Sequence, residues 1–264
     1  LSDSKSMLVK AIPSSRGNAP VVNRTPVGPT VQENLGKKAQ APTYQDLLKN
    51  KTDEANFESL VTSELYKISI PGKAELFKTA DLYAGESLSP DGKYLMITTI
   101  QKPFSYIVPF NRFPQKTIVC DISGKEIKMV NEVPLTEIMP KGFSSVRKGK
   151  RNMSWRADKA AALTFVEALD EGDQAKVVPF RDEVYVWEAP FTSNPTSFFK
   201  TKQRFGGIIW GNDNYAIVYD SWYDTRNTKA YLVNPSNLSA EAKIIADRNM
   251  QDIYSDPGNF ETKR

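Results

Sequence analysis

The 264-residue chain contains no histidine, which excludes every catalytic device built on a histidine base. Ser-His-Asp triads and Cys-His pairs both need an imidazole to accept the proton of the nucleophile. The sequence also lacks a Gly-x-Ser-x-Gly motif, the turn that presents the nucleophilic serine of α/β-hydrolases. We therefore predict no catalytic residues of these kinds in this chain.

Cysteine, long apolar runs and an excess of one charge are also missing. The single cysteine, Cys120, cannot form an internal disulfide or a thiolate cluster, and its strand-like surroundings predict a small buried residue. Apolar runs are of strand length, well below the roughly 20 residues of a membrane helix. The net charge of +4 is spread over 35 basic and 31 acidic residues, unlike a nucleic-acid surface. The composition predicts a folded, water-soluble protein with no membrane span, no nucleic-acid partner, no metal and no cofactor.

Three related phrases recur along the chain: SPDGKYLMITT at residues 89–99, WRADKAAALTFV at 155–166 and WGNDNYAIVY at 210–219. Each combines a tight turn with an apolar run of strand length. A fragment of the same phrase opens the chain at residues 1–10, so both ends look truncated; any targeting signal would be lost and the compartment stays open. Recurrence of one supersecondary unit is typical of a β-propeller. The sequence predicts an all-β fold, a partial β-propeller of about three to four four-stranded antiparallel blades.

The predicted domain covers residues 1–264, with blades at about 61–132, 133–202 and 203–250. Because strands alternate in direction, the connections emerge alternately on two faces of a blade. One face receives short turns such as that at Gly92. The other receives the long, charged loops, which are 101–116, 134–151, 170–182 and 224–228. Since functional residues concentrate on loops carried by a rigid scaffold, we expect the site on this long-loop face.

A Pro-rich segment and a short helical segment interrupt the first blade at about residues 14–60. Thr43 is expected to cap a helix that begins at residues 44–46, with an apolar side formed by Leu47, Leu48, Phe57 and Leu60. The insertion is expected to brace the propeller rim or to form a lid, and bracing is the favoured interpretation.

Eight phrases, spread in order from residue 12 to residue 258, resemble the propeller region of glutamyl endopeptidases in the prolyl oligopeptidase family. They are IPSSRG at 12–17, YQDLL at 44–48, KPFSYIVP at 102–109, RFPQK at 112–116, FSSVRKG at 143–149, WRADK at 155–159, SWYDTR at 221–226 and YSDPG at 254–258. In that family a β-propeller precedes a C-terminal α/β-hydrolase domain, and the peptide substrate is held between the two. The resemblance implies that the hydrolase domain is missing here, and that this chain alone is inactive. The sequence DEGD at 170–173 departs from the Gly-Gly-Asp run expected of the family.

A peptidase that cleaves after glutamate must bind a carboxylate, for which the planar fork of arginine is suited. The loop at residues 143–151 carries four cations in five positions, which makes Arg147 the first substrate-binding candidate, followed by Arg151, Arg112 and Arg226. For each arginine, the alternative is a solvated loop charge or a salt bridge between blades.

Other polar and aromatic groups have simpler interpretations. The tryptophans at 155, 187, 210 and 222 are expected to pack within blades. The acidic loop with Asp170, Glu171 and Asp173 could serve glycoside hydrolysis or bind calcium, but neither has supporting spacing, so a solvated turn is favoured. A Ser-Lys dyad would not need histidine, yet nothing singles out such a pair.

Two functional hypotheses follow. In the first, the chain is the substrate-gating and substrate-orienting propeller of a serine peptidase that hydrolyses peptides after glutamate, with peptide substrates and the hydrolase domain of the same polypeptide as partners. In the second, it is a non-enzymatic β-propeller scaffold for protein-protein interaction. Either would expose edge strands, through which the chain could self-associate.

Overall fold

The strands of the chain form four consecutive antiparallel sheets in the computed structural model, which describes residues 5–16, 44–70, 72–258 and 260. The first sheet has three strands: β1 (Ser6–Ala11), β2 (Ser63–Ser69) and β3 (Ala74–Asp81). The second has four: β4 (Tyr83–Leu88), β5 (Tyr94–Ile100), β6 (Gln115–Asp121) and β7 (Glu126–Val133).

The third and fourth sheets follow the same meander. The third consists of β8 (Arg151–Trp155), β9 (Ala162–Ala168), β10 (Asp182–Glu188) and β11 (Thr196–Thr201). The fourth consists of β12 (Arg204–Asn212), β13 (Tyr215–Trp222), β14 (Asn227–Val233) and β15 (Lys243–Asn249). The expectation of an all-β partial propeller is thereby confirmed.

The chain divides into two compact units. Unit 1 comprises Leu1–Glu86 and Leu95–Ile138, and unit 2 comprises Ser87–Tyr94 and Met139–Arg264. None of the helices in the described part of the chain has both the length and the apolar character needed to cross a bilayer. The division into blade domains at about 61–132, 133–202 and 203–250 stays a prediction.

The tight turns expected on the short-loop face are present. Gly92 has φ +68°, and its N–H donates to the carbonyl of Ser89 at 2.8 Å. Gly124 plays the same part between β6 and β7, with φ +90° and a 2.9 Å bond to the carbonyl of Asp121. Glycine has no Cβ to obstruct a positive φ, so each hairpin closes without backbone strain.

The core of unit 2 lies between the third and fourth sheets. Val166, Val184 and Phe198 of the third sheet pack with Trp210 and Val218 of the fourth. Trp187 is also buried, as expected for a blade-packing tryptophan. Packing of alternate inward-facing residues from two sheets is what joins neighbouring sheets into one unit.

Unit 1 contains the single α-helix of the described residues, α1 (Lys51–Val61). The expected helix start at residues 44–46 is wrong: residues 44–49 are not helical, and Thr43 lies outside the described residues. Asn50 caps the helix instead, since its Oδ1 accepts from the N–H of Asp53 at 2.9 Å. Asp53 Oδ2 in turn accepts from the N–H of Lys49 at 2.9 Å. These two bonds satisfy the backbone N–H groups of Asp53 and Lys49 and fix where the helix begins.

The helix packs through aromatic contacts. Phe57 makes edge contacts with Phe104 and Phe113, at ring-centroid distances of 5.2 and 5.8 Å.

Cys120 of β6 is fully buried, as the sequence predicts, and its thiol donates to the carbonyl of Leu95.

Candidate functional site

Three loops of unit 2 are joined by hydrogen bonds at one end of its sheets. They are residues 141–150 before β8, residues 169–181 between β9 and β10, and residues 223–226 between β13 and β14. The N–H of Val146 donates to the carbonyl of Gly172 at 3.0 Å. Ser144 contacts both other loops: its N–H donates to Gln174 Oε1 at 2.8 Å, and its Oγ accepts from the N–H of Tyr223 at 3.0 Å. We call these three loops the loop face of unit 2.

Gly172 is the position where two of these loops approach most closely. Its φ is +82°, and a Cβ at this residue would lie 2.0 Å from the carbonyl oxygen of Val146. A side chain therefore does not fit, and glycine is required for this loop contact. The preceding residue, Glu171, also has a positive φ, of +59°. Because glycine adopts such a conformation without strain, the Gly-Gly-Asp run expected of the family would suit this backbone at both positions.

A buried cluster of charged groups lies beneath the loop face. Arg204 donates to Asp170 Oδ2 at 2.5 Å through Nη2 and to Asp182 Oδ1 at 3.1 Å through Nη1. Asp182 Oδ1 also accepts from Arg151 Nη2 at 2.6 Å, and Asp170 Oδ2 accepts from Arg181 Nη1 at 2.9 Å. Both aspartate side chains are fully buried. We call these five residues the buried ion cluster; three arginines and two aspartates give it a net charge of +1.

Backbone groups complete the bonding of the cluster. The N–H of Gly172 donates to Asp170 Oδ1 at 2.9 Å, and the N–H of Phe205 donates to Asp182 Oδ2 at 2.8 Å. Burial raises the pKa of Asp170, but the hydrogen bonds from Arg204 and Arg181 outweigh it, so that this pKa lies below its ordinary value. Buried carboxylates bonded in this way stay ionised.

The expectation of a solvated acidic turn is wrong for Asp170, which is 1% exposed. Glu171 is solvent-exposed, as expected for such a turn, and its carboxylate pairs with Lys148 at 2.9 Å and with Lys176 at 2.8 Å. These two lysines lower the pKa of Glu171 to about 2. Within the described residues, no group of three or more acidic or thiol side chains is placed to bind a metal ion.

The structure places the four candidate arginines in different settings. Arg151 belongs to the buried ion cluster, where Asp182 neutralises it, although its Nε is buried without a hydrogen-bond partner. This ion pair lies within the third sheet, so it is neither the solvated loop charge nor the salt bridge between blades that was the alternative for these arginines. Arg112 lies in unit 1, in a short 3-10 helix (Phe110–Arg112), with its guanidinium 5.2 Å from the ring centre of Tyr44. Nothing tests a substrate contact for either residue, so both remain predictions.

Arg147 lies on the loop face and is held by the backbone of its own loop. Its guanidinium is partly buried and donates to carbonyls of its own loop, those of Lys148 at 3.1 Å and Lys150 at 2.5 Å. Among the described residues, no carboxylate lies within ion-pair distance of it. Burial, and then the positive charge of Arg151, lower the pKa of Arg147. A carboxylate arriving here would meet a positive charge that has no ion-pair partner among the described residues.

Arg226 forms the edge of an aromatic group on the same loop face. Its guanidinium lies 3.6 Å from the ring centre of Tyr223, and the Tyr223 ring stacks on Phe143 at 4.3 Å with an interplanar angle of 28°. No carboxylate of the described chain forms an ion pair with Arg226. Arg147 and Arg226 are therefore both on the loop face with unneutralised charges.

Two residues that organise this site, Asp182 and Arg204, were not singled out by the sequence. Each sits at the first position of a strand, where a charged residue is ordinarily read as exposed. Asp182 and Arg204 pair with each other across 22 positions, so no local sequence pattern shows that they are buried. The sequence feature that could have indicated them is a charged residue at the start of a strand that is otherwise largely apolar.

Two curated proteins are similar to nearly the whole chain, although no protein-family model matches it. A "Probable glutamyl endopeptidase, chloroplastic" of Oryza sativa subsp. japonica is 40% identical over 260 residues, 97% of this chain and 28% of that protein. The protein of the same name from Arabidopsis thaliana is 38% identical over 265 residues, 99% of this chain and 28% of that protein. The chain thus spans less than a third of the length of the curated relatives it matches.

Solved structures with similar folds include peptidases. An acylaminoacyl peptidase in complex with Z-Gly-Gly-Phe-chloromethyl ketone is 15% identical and aligns with 76% of this chain and 29% of its own, with a TM-score of 0.42. The β-propeller domain of the Trilobed protease from Pyrococcus furiosus is 13% identical and aligns with 73% of this chain and 65% of its own, with a TM-score of 0.33. The two curated relatives confirm, along almost the entire chain, the resemblance to a segment of the glutamyl endopeptidases that eight short phrases led us to expect.

Proposed function

We propose that this chain is the substrate-gating and substrate-orienting propeller section of a serine peptidase of the prolyl oligopeptidase family, which hydrolyses peptides after glutamate. The names of the two curated relatives support the peptidase class and the glutamyl preference. The absence of histidine from all 264 residues supports the assignment of the triad to another part of the natural polypeptide. Loss of triad members costs about four to six powers of ten in rate, so the chain alone is inactive.

The observation that carries the proposal is the guanidinium of Arg147, which has no ion-pair partner among the described residues and lies near Arg151 of the buried ion cluster, whose net charge is positive. A glutamate carboxylate bound to Arg147 offsets this local excess of positive charge. The backbone carbonyls that hold the guanidinium also orient it before the ligand arrives. Preorganisation of this kind reduces the ordering cost of binding.

Glutamate recognition is tested by measuring the affinity of the 264-residue chain for two blocked peptides that are identical except for Glu or Gln at one position. Charge-assisted hydrogen bonds contribute about 1.5–3 kcal/mol, so we expect the Glu peptide to bind roughly tenfold to a hundredfold more tightly. Arg147→Ala should abolish this preference. Lys148→Ala, a change in the adjacent residue whose charge Glu171 already pairs, is the matched control and should retain it. Equal binding of the Glu and Gln peptides by the unmodified chain would refute glutamate recognition here.

The peptidase assignment is tested separately with the full-length product of the natural gene. We expect it to cleave a quenched Glu peptide with sensitivity to serine-directed inhibitors, whereas the 264-residue chain should not cleave it. A natural gene product without a hydrolase domain would favour the non-enzymatic scaffold instead.

A further inference from the structure

Phe143 and Tyr223 form an exposed aromatic stack on the loop face of unit 2. Their ring centroids are 4.3 Å apart, and Arg226 lies 3.6 Å from the centre of the Tyr223 ring. Phe143 is 79% exposed and Tyr223 is 36% exposed. We call these three residues the aromatic shelf. A ring this exposed adds little to the core, and its stack with Tyr223 makes a contiguous apolar patch rather than a single exposed residue.

The shelf is held in place by the residue next to Phe143. Ser144 is buried, and its carbonyl accepts from Arg204 Nε at 2.5 Å. Its Oγ accepts from the N–H of Tyr223, and its N–H donates to Gln174 Oε1. The shelf backbone is therefore fixed to the buried ion cluster. Rigid, exposed aromatic and arginine side chains are the residues that most often anchor a bound partner.

The charge around the shelf selects among partners. Arg147 and Arg226 have no carboxylate partner among the described residues. Glu171 is already paired with two lysines, and the exposed Asp224, next to Tyr223, accepts from Gln174 Nε2 at 3.2 Å. The three loops together carry seven lysines and arginines against four aspartates and glutamates, so the loop face has an excess of positive charge. A cationic peptide would be repelled by this surface, and an acidic peptide attracted to it. The surface thus combines an apolar platform with unneutralised positive charge.

Phe143 and Arg147 are close enough to contact one peptide. They are four positions apart in one loop, so their Cα atoms are separated by at most about 14 Å, the length of four extended residues. A carboxylate at Arg147 and an apolar side chain on the shelf would therefore belong to positions of the same peptide about four residues apart or fewer.

We propose that the aromatic shelf of Phe143, Tyr223 and Arg226 is a second subsite, which binds an aromatic side chain of the same acidic peptide whose glutamate contacts Arg147. This inference rests on the proposed glutamate recognition and extends it to a substrate class: peptides that carry an aromatic residue within about four positions of a glutamate.

The test uses four blocked peptides that combine Glu or Gln with Phe or Ala at the two positions, and measures their affinities for the full chain. We expect replacement of Phe by Ala in the Glu peptide to weaken binding about fivefold to tenfold, in the range of aromatic pair contacts. Phe143→Ala should remove this difference and leave affinity for the Glu peptide without Phe unchanged. The matched control is Tyr215→Ala, a change in a 57% exposed aromatic at the opposite end of β13 from Tyr223.

The outcomes separate the two proposals. A Glu preference without any effect of the peptide Phe, or of Phe143→Ala, would overturn the shelf and leave glutamate recognition standing. Equal weakening of all four peptides by Phe143→Ala would show that the ring supports the loop rather than a ligand, and would also overturn the shelf. If the peptide Phe strengthens binding but Glu is not preferred over Gln, glutamate recognition is overturned, and with it the proposal that one peptide binds both Arg147 and the shelf. Absence of binding up to about 1 mM would overturn both.

Discussion

Replacement of Asp170 by asparagine should strongly destabilise unit 2. The substitution keeps the size of the side chain but removes one of the two negative charges of the buried ion cluster. Arg181 would then lose its carboxylate partner, Arg151 and Arg204 would share Asp182, and the net charge of the cluster would rise from +1 to +2. Breaking a buried, hydrogen-bonded ion pair by neutralising one partner costs about 3–5 kcal/mol. That is a large fraction of the roughly 5–15 kcal/mol by which a domain is ordinarily stable.

The assay can be restricted to unit 2 because all four tryptophans of the sequence, at 155, 187, 210 and 222, belong to it. Urea unfolding followed by tryptophan fluorescence gives the free energy of unfolding of this unit. The control is Glu171→Gln at the neighbouring position, which removes a carboxylate with exposed partners. Exposed pairs contribute little, so this variant should unfold with an unchanged midpoint. A cost below about 1 kcal/mol for Asp170→Asn would refute the reasoning.

The same carboxylate gives a pH dependence. Because the pKa of Asp170 is lowered in the folded state, its stabilising contribution is fully present above its unfolded pKa of about 3.9. The contribution is lost as the pH falls through the lower, folded value. Unmodified unit 2 should therefore lose stability below about pH 4, and the Asp170→Asn variant should lose less over the same interval. Identical pH profiles would contradict an ionised, paired Asp170.

Two further predictions concern the loops and unit 1. Gly172→Ala should destabilise unit 2 by roughly 2–3 kcal/mol and weaken the Glu preference, because its Cβ would clash with the Val146 carbonyl; unchanged unfolding and binding would contradict the close approach. Burial raises the pKa of Cys120 to about 11, so at pH 8 its labelling by a thiol reagent should be about a hundredfold slower than that of a free cysteine until urea opens unit 1. Rapid labelling of the native chain would show that the β6 environment is open.

The strand pattern of the fold was accessible from sequence because it depends on local signals. Each recurring phrase contains a turn followed by an apolar run of strand length. The strands β5, β9 and β13 occur at these apolar runs, as predicted. The buried cysteine and the turn at Gly92 follow from the same local chemistry. The start of α1 was missed because Asn50, like Thr43, is a residue type that caps helices. Only the hydrogen bonds that Asn50 and Asp53 make after folding identify Asn50 as the cap.

The sequence by itself therefore determined the sheet-forming repeats, the absence of a histidine-based active site and the loop that carries Arg147. Only the tertiary structure decided which charged residues of that loop region form an ion pair with a carboxylate. Arg151 and Arg147 are four positions apart and equally basic, but Asp182 neutralises only Arg151, from 31 positions away. An ion pair of this kind depends on the distance between side chains after folding, which neither composition nor periodicity contains.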